Sequence, residues 1–125
     1  MNLLLDAHAL LWWLADDPGL SQEARTAIGA AENAVYVSAV TAWEIAIKRA
    51  LGKLEAPEDL DVAVSASGFQ ELPITIAHAL AAGQLPNHHK DPFDRMLVAQ
   101  AQLENLILIT RDERIVRYAL PTIRA

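Results

Sequence analysis

Short, continuously apolar segments alternate with helix-forming segments along this chain, and this alternation limits its possible folds more than any other feature. Asn2–Leu5, Val35–Val37 and Leu106–Ile109 are apolar, β-branched or aromatic almost throughout, which is typical of strands buried on both faces. A helix-forming segment follows each of them. This order predicts an α/β fold over residues 1–125, a single three-layer α/β/α domain with a central parallel sheet.

Helix and strand signals divide the rest of the chain into further elements. Ser21 and Thr75 are predicted N-caps, Pro92 fits the first turn of a helix, and Gly52 is a predicted helix stop. We expect helices over 7–15, 22–31, 38–50, 58–67, 76–82, 92–104 and 111–118, further strands at 69–72 and 122–123, and a polar loop at 83–90.

Composition excludes several classes of protein. The chain is 53% hydrophobic and 21% charged, which is a globular composition. It has no cysteine, so disulfides, thiolate metal sites and a cysteine nucleophile are absent. No apolar stretch approaches the length of a membrane span, and the opening residues do not resemble a signal peptide. These features are compatible with the cytosol.

Four acidic residues fall where predicted strands end or where the following helices begin. Asp6 directly follows the first strand, Glu44 lies one turn into the helix after the second strand, and Asp94 lies in the first turn of a later helix. Asp112 follows the last apolar strand. Ligands of open parallel sheets bind outside the carboxyl ends of the strands. We therefore expect these acids on one rim of the sheet, at the carboxyl ends of its strands. Asp94 lies on that rim if its helix begins there.

Clustered carboxylates repel one another, and at least one keeps its proton at neutral pH unless a cation balances the charge. Mg²⁺ prefers oxygen ligands and commonly binds through one or two carboxylates and a substrate phosphate. Such an ion polarises a phosphodiester and lowers the pKa of a bound water. The four acids therefore indicate metal-dependent phosphodiester chemistry.

Three of these acids also have a purely structural interpretation. Thr41 and Glu44 match the spacing of a capping box, and Glu44 is spaced for an ion pair with the lysine one turn later. The charge of Asp94 suits a helix N-terminus, and Asp112 can cap the last helix. Asp6 has no evident structural need to follow a buried strand.

Four segments, in order and over essentially the whole chain, resemble PIN-domain toxins of the VapC type. They are LLLDAHALLWWL at 3–14, SAVTAWEIAIK at 38–48, DPFDRMLVAQA at 91–101 and LITRD at 108–112. The resemblance implies an α/β/α fold and an endoribonuclease that depends on Mg²⁺ or Mn²⁺. It also implies an RNA substrate, a homodimer, a cognate antitoxin and a cytoplasmic location, with no membrane association.

The same resemblance assigns roles to individual residues. Asp6, Glu44 and Asp94 match the first three acids of the family, and Asp112 matches the fourth and most variable one. Asp6 and Asp94 are the expected direct metal ligands. Asp91 competes with Asp94 for this role, but Asp94 is preferred because an apolar helical segment directly follows it.

Some residues depart from the pattern or have two interpretations. Ala7 stands where the family often has Ser or Thr, so a hydroxyl that orients a carboxylate or a water is missing. His88 and His89 lie in the polar loop, where they bind a metal or phosphate or form a solvated pair. The expected chemistry requires neither histidine.

Three tryptophans lie on the helices that follow the first two strands: Trp12, Trp13 and Trp43. We expect most of their area in the core, and any exposed part to form a dimer or antitoxin surface.

The net charge of −6 is unusual for a protein that binds nucleic acid. A metal at the acidic rim inverts the local potential. We expect seven basic residues to flank the rim: Lys48, Arg49, Lys53, Arg95, Arg111, Arg114 and Arg117.

Three alternatives remain open at this stage. A receiver-like signalling module also has a Mg²⁺ pocket, but it pairs its acids near the first strand and has a lysine after a late strand, whereas Asp6 stands alone and no lysine follows Ile109. A catalytically weak PIN-like scaffold would only bind a partner. A structure-specific DNA nuclease would share the metal chemistry.

Overall fold

A computed structural model describes all of residues 1–125, and its five strands form one sheet in which every neighbouring pair is parallel. The strands are β1 (Asn2–Leu5), β2 (Ala34–Ser38), β3 (Gln70–Leu72), β4 (Ile107–Thr110) and β5 (Thr122–Arg124). Their spatial order is β3-β2-β1-β4-β5. The helices are α1 (Ala7–Leu14), α2 (Gln22–Gly29), α3 (Ala39–Ala50), α4 (Leu60–Ala66), α5 (Ile76–Gly83) and α6 (Pro92–Glu104), and a short 3₁₀ helix spans Ile115–Arg117.

Apolar cores cover both faces of the sheet. Leu3 and Leu5 of the central strand β1 join the core beneath α1, α2 and α4, whereas Leu4 joins the opposite core with α6. Successive side chains of a strand point to opposite faces, so a strand that is apolar throughout is buried on both. Helix α5 packs against α6 on the outer side. The predicted α/β/α architecture is confirmed.

The strand order excludes one of the alternatives. Flavodoxin-like receivers have the order 2-1-3-4-5, whereas here β1 lies between β2 and β4, and β3 lies outside β2. The receiver-like interpretation is therefore wrong.

Helix ends follow the predicted caps. The Ser21 hydroxyl accepts the Ala24 N–H at 3.0 Å at the start of α2, and Thr75 caps α5. Gly52, with φ of 70°, follows α3 as expected for a glycine after a helix end. None of the helices is both long and apolar enough to cross a bilayer.

The helix predicted over 111–118 is wrong, because only the 3₁₀ turn at Ile115–Arg117 forms there. The Asp112 carboxylate accepts the Arg114 N–H at 2.8 Å, which makes a tight turn instead of a helix start. The Tyr118 hydroxyl donates to the Pro86 carbonyl at 2.8 Å, which holds the end of this segment against the loop before α6. Contacts distant in sequence therefore override the local helical pattern.

Candidate active site

A cleft of about 430 Å³ lies at the carboxyl ends of β1 and β4, beside α3 and the start of α6. All four predicted acids line it: Asp6, Glu44, Asp94 and Asp112. They come from four different segments of the chain, and the parallel sheet brings those segments to one edge. Asp91 also lines the cleft.

Asp6 is the buried acid at the end of β1. Its Oδ1 accepts the Ala9 N–H at 2.8 Å, so it is the N-cap of α1. The expectation that Asp6 has no structural role is therefore wrong, since such a cap stabilises a helix by about 1 kcal/mol. Burial raises the pKa of the Asp6 carboxyl above its ordinary value, and hydrogen bonds from the Thr110 hydroxyl and the Ala9 N–H oppose that rise only in part.

Thr110 was not predicted as a site residue. It is the last residue of β4, it is buried, and its hydroxyl also accepts the Asp112 N–H at 3.1 Å. Asp6 thus has a hydroxyl partner from β4, Thr110, although the residue at position 7 is Ala and supplies no hydroxyl from α1.

Glu44 lies on the buried side of α3, and only 5% of it is exposed. The Lys48 ammonium donates to Glu44 Oε2 at 2.5 Å, which confirms the ion pair expected from their spacing. The Glu44 carboxylate raises the pKa of Lys48. The capping box predicted with Thr41 is wrong, because Ser38 is the N-cap of α3 and Thr41 lies within the helix.

Asp94 lies in the first turn of α6 and faces the cleft. Burial first, and then the nearby carboxylates of Asp91 and Glu44, raise the pKa of Asp94 to about 7, whereas His89 acts to lower it. Asp91 differs from Asp94 because its Oδ1 already accepts the N–H groups of Phe93 and Asp94, at 2.8 and 3.2 Å. Asp91 is therefore committed to capping α6 through one of its oxygens.

Asp112 holds the turn after β4 and reaches into the cleft. Its Oδ1 accepts the Arg114 N–H at 2.8 Å, and its Oδ2 lies 2.9 Å from His89 Nε2. Burial acts to raise the pKa of Asp112, but the hydrogen bonds from Arg114 and His89 outweigh it and hold that pKa below its ordinary value.

His89 is a buried member of the site, and its interpretation as half of a solvated pair is wrong. Only 5% of it is exposed, whereas His88 is exposed and packs edge-on against Tyr118. His89 Nε2 lies 2.8 Å from Asp94 Oδ2 and 2.9 Å from Asp112 Oδ2. In the sequence around His89, only the nearby Asp91 indicates that this histidine belongs to the site. The Asp91 N–H donates to His89 Nδ1.

Three of the seven basic residues expected at the rim line the cleft: Lys48, Arg111 and Arg114. Arg49 instead pairs with Glu58 at 3.0 Å, beside a separate groove between α3 and α4. Arg95 donates to four backbone carbonyls around the loop before α6, so it anchors that loop. Fewer basic residues therefore flank the acids than the sequence predicted.

The tryptophans occupy different environments. Trp12 and Trp13 are half-buried and pack against the core of the first face, as predicted. Trp43 is 60% exposed, contrary to that expectation, and its ring meets the Phe93 ring edge-on at 5.3 Å. Phe93 is half-buried, and since Glu44 and Asp94 are the chain neighbours of Trp43 and Phe93, this aromatic pair lies close to the cleft.

The carboxylates of the cleft fit a divalent cation. One carboxylate oxygen of Asp94, one of Asp112 and His89 Nε2 all lie within 4.8 Å of one another. The raised pKa values of Asp6 and Asp94 show that the local partners do not fully offset the burial and mutual repulsion of these carboxylates. A cation would relieve that repulsion, and carboxylate oxygens suit hard ions such as Mg²⁺ and Mn²⁺.

One known protein family matches almost the whole chain. The model of the PIN domain matches residues 3–120. The chain belongs to the PIN-domain family. Ribonuclease VapC22 from Mycobacterium tuberculosis is 32% identical to this PIN domain, over 91% of this chain and 89% of that relative.

Solved structures share the fold of this PIN domain. VapBC2 from Rickettsia felis, bound to a DNA fragment from its promoter, superposes with a TM-score of 0.72 at 16% identity over 98% of both chains. A toxin–antitoxin complex from Klebsiella pneumoniae gives a TM-score of 0.68 at 21% identity over 98% of this chain and 96% of that one. The predicted family and fold are confirmed.

Proposed function

We propose that this PIN domain, acting as one unit over residues 1–125, is a metal-dependent endoribonuclease and the toxin of a toxin–antitoxin pair. The observation that carries the proposal is the convergence of Asp6, Glu44, Asp94 and Asp112 on one cleft. The name of the relative Ribonuclease VapC22 supports RNA as the substrate. Because RNA is its substrate, we expect it to act in the cytoplasm.

Each acid has a distinct role in this proposal. Asp6 and Asp94 would hold Mg²⁺ or Mn²⁺, and that ion would supply Lewis-acid stabilisation of the scissile phosphate and lower the pKa of a water. Glu44 is fixed by Lys48 and accepts a proton from, or orients, the attacking water. Asp112 orients further waters or contributes to a second, weaker metal position.

Positive charge at the cleft compensates for the acidic chain. Lys48, Arg111 and Arg114 line the same cleft as the acids, so an RNA backbone that enters it meets cations at its edge. Arg111 stacks on the Trp12 ring at 4.6 Å, which fixes that guanidinium near the site. Phosphate contacts release counter-ions, so RNA affinity should fall as salt concentration rises.

Exposed apolar surface provides places for protein partners. Trp43 is 60% exposed, and Ile76 and Leu80 on α5 are 80% and 64% exposed. The groove between α3 and α4 measures about 570 Å³ and is lined in part by apolar residues. Two of the structural neighbours are named as VapBC2 and as a toxin–antitoxin complex. We propose that these faces bind a second copy of the chain and an antitoxin.

The decisive experiment is a cleavage assay with the partner-free protein. Single-stranded RNA is incubated with wild type in Mn²⁺, in Mg²⁺ and in EDTA, beside Asp94→Asn. Glu32→Gln is the control, because Glu32 is an exposed acid outside the cleft. We expect wild type to cleave RNA only when metal is present, Asp94→Asn to lose at least about 100-fold of that activity, and Glu32→Gln to cleave at the wild-type rate.

Other results would redirect the proposal. If folded wild type and Asp94→Asn are equally inert on RNA and on single-stranded DNA, the chain is a PIN-like scaffold. If DNA is cut and RNA is not, the metal site stands and the assigned substrate is wrong.

A further inference from the structure

His89 is placed by contacts on both nitrogens of its imidazole ring. The Asp91 N–H donates to His89 Nδ1 at 3.2 Å. On the other side, His89 Nε2 is hydrogen-bonded to Asp112 Oδ2 at 2.9 Å and lies 2.8 Å from Asp94 Oδ2. The ring therefore bridges a backbone N–H and two carboxylates.

These contacts determine which nitrogen carries the proton. Nδ1 accepts a hydrogen bond, so it holds a lone pair and not a proton. The neutral ring then carries its proton on Nε2, where two carboxylate oxygens lie within reach. The opposite tautomer would place a proton against the Asp91 N–H and a lone pair against both acids, which is unfavourable at each end.

The surrounding loop holds the ring in this position. The His89 N–H donates to the Tyr118 hydroxyl at 3.1 Å, and its carbonyl accepts from Arg95 at 3.3 Å. Arg95 also binds the carbonyls of Leu85 and Pro86, so the loop is tied to α6 along much of its length. His89 is thus held from its backbone as well as its ring, and side chains held on several sides keep one geometry.

We propose that His89 is a positioning residue whose Nε2–H donates a hydrogen bond to Asp112 and lies against Asp94, and which thereby holds the two carboxylates oriented for a divalent cation. The inference rests on the proposed metal-dependent function. His89 acts through these acids and is not itself a ligand, because the protonated Nε2 that faces them has no free lone pair with which to coordinate a metal. Groups that orient metal-binding carboxylates typically contribute 10- to 100-fold to metal affinity.

Two substitutions separate the nitrogens of the ring. His89→Gln places an amide N–H donor near the position of Nε2, so it keeps the contact with Asp94 and Asp112. His89→Asn places its amide near the position of Nδ1, so it keeps the contact with the Asp91 N–H and loses the donor to the acids. His88→Asn is the matched control, because the neighbouring His88 is exposed.

The primary measurement is Mn²⁺ affinity by isothermal titration calorimetry on the EDTA-stripped full chain, without RNA. We expect His89→Asn to weaken Mn²⁺ binding about tenfold or more, and His89→Gln and His88→Asn to stay within about threefold of wild type. Equal affinity in wild type and His89→Asn, or equal loss in His89→Asn and His89→Gln, would overturn the positioning role. No Mn²⁺ binding by wild type would overturn the proposed function itself.

Two spectra on wild type do not depend on how the variants fold. Long-range ¹H–¹⁵N NMR of the metal-free chain should show the His89 proton on Nε2, and a proton on Nδ1 instead would contradict the proposal. Electron spin-echo modulation of bound Mn²⁺ should show no directly coordinated ¹⁴N. A coordinated nitrogen that disappears in both His89 variants would make His89 a metal ligand and the inference wrong.

Discussion

Asp94 should destabilise the metal-free protein at neutral and alkaline pH, so removing its charge should stabilise the fold. Burial and the neighbouring acids raise the pKa of Asp94 from its ordinary 3.8 to about 7. In free energy this shift corresponds to an unfavourable contribution of about 4 kcal/mol once the group is ionised in both states. Bound water and counter-ions soften such a penalty. We therefore expect Asp94→Asn to raise the free energy of unfolding by about 2 kcal/mol at pH 8 in EDTA.

The pH dependence of this effect has a definite sign. Below about pH 4, Asp94 is protonated in both the folded and the unfolded chain, so wild type and Asp94→Asn should be equally stable. Between pH 4 and 7 the unfolded chain loses the proton while the folded chain keeps it, so wild type falls progressively below the variant. Above pH 7 the difference is constant.

Bound metal should make wild type more stable than Asp94→Asn, which is the reverse of their order in EDTA. A ligand that binds only the folded state at 100 times its Kd adds about 2.7 kcal/mol of stability. Mn²⁺ should therefore stabilise wild type and leave Asp94→Asn nearly unchanged.

Urea unfolding followed by circular dichroism at pH 4, 6 and 8, with EDTA and with Mn²⁺, measures both effects. Glu32→Gln is the control, because Glu32 is an exposed acid outside the cleft. Our reasoning about charge in the cleft is refuted if Asp94→Asn is less stable than wild type in EDTA at pH 8. It is also refuted if the difference between them is the same at pH 4 and pH 8.

Two further predictions test the groups that support the cleft. Arg95→Lys keeps the charge but loses most of the hydrogen bonds to the loop carbonyls, so it should cost about 3 kcal/mol of stability and speed proteolysis before α6. Unchanged urea midpoint and proteolysis would show that Arg95 does not anchor the loop. Thr110→Val removes the hydroxyl that lowers the pKa of Asp6, so the half-maximal pH of Mn²⁺-dependent cleavage should move upward. A pH–rate profile that stays in place or moves downward would contradict this role.

The fold was predictable because its strongest signals are local. Residues Leu3, Leu4 and Leu5 are apolar in succession, and a strand with this composition is stable only when both of its faces are covered. Strand ends in a parallel sheet share an edge, so the positions of Asp6 and Asp112 after such strands were enough to bring them together. Local pattern and global topology agree at these residues.

The parts that escaped prediction depend on contacts between distant segments. His89 lies in a loop without periodicity, and its burial results from Arg95 on α6 and Tyr118 near the end of the chain. Thr110 could not be predicted as a site residue, because its hydroxyl reaches Asp6 only when β1 and β4 pair in the sheet. The helix expected over 111–118 failed for the same reason, since Tyr118 is held by the loop carbonyl of Pro86. A sequence pattern indicates the structure that a segment prefers by itself. The positions of these residues depend instead on contacts with segments that are distant in the chain.

Asp94 differs from the other predicted acids of the cleft in the hydrogen-bond and ion-pair partners of its carboxylate. Asp6 accepts the backbone N–H of Ala9, and Asp112 accepts that of Arg114. Glu44 has the ammonium of Lys48 at 2.5 Å. The Asp94 carboxylate has only the near approach of His89, a ring whose proton is hydrogen-bonded to Asp112. Asp94 therefore carries the least compensated charge in the cleft, so a cation that enters gains most beside it, and its neutralisation should affect stability and metal binding in opposite directions.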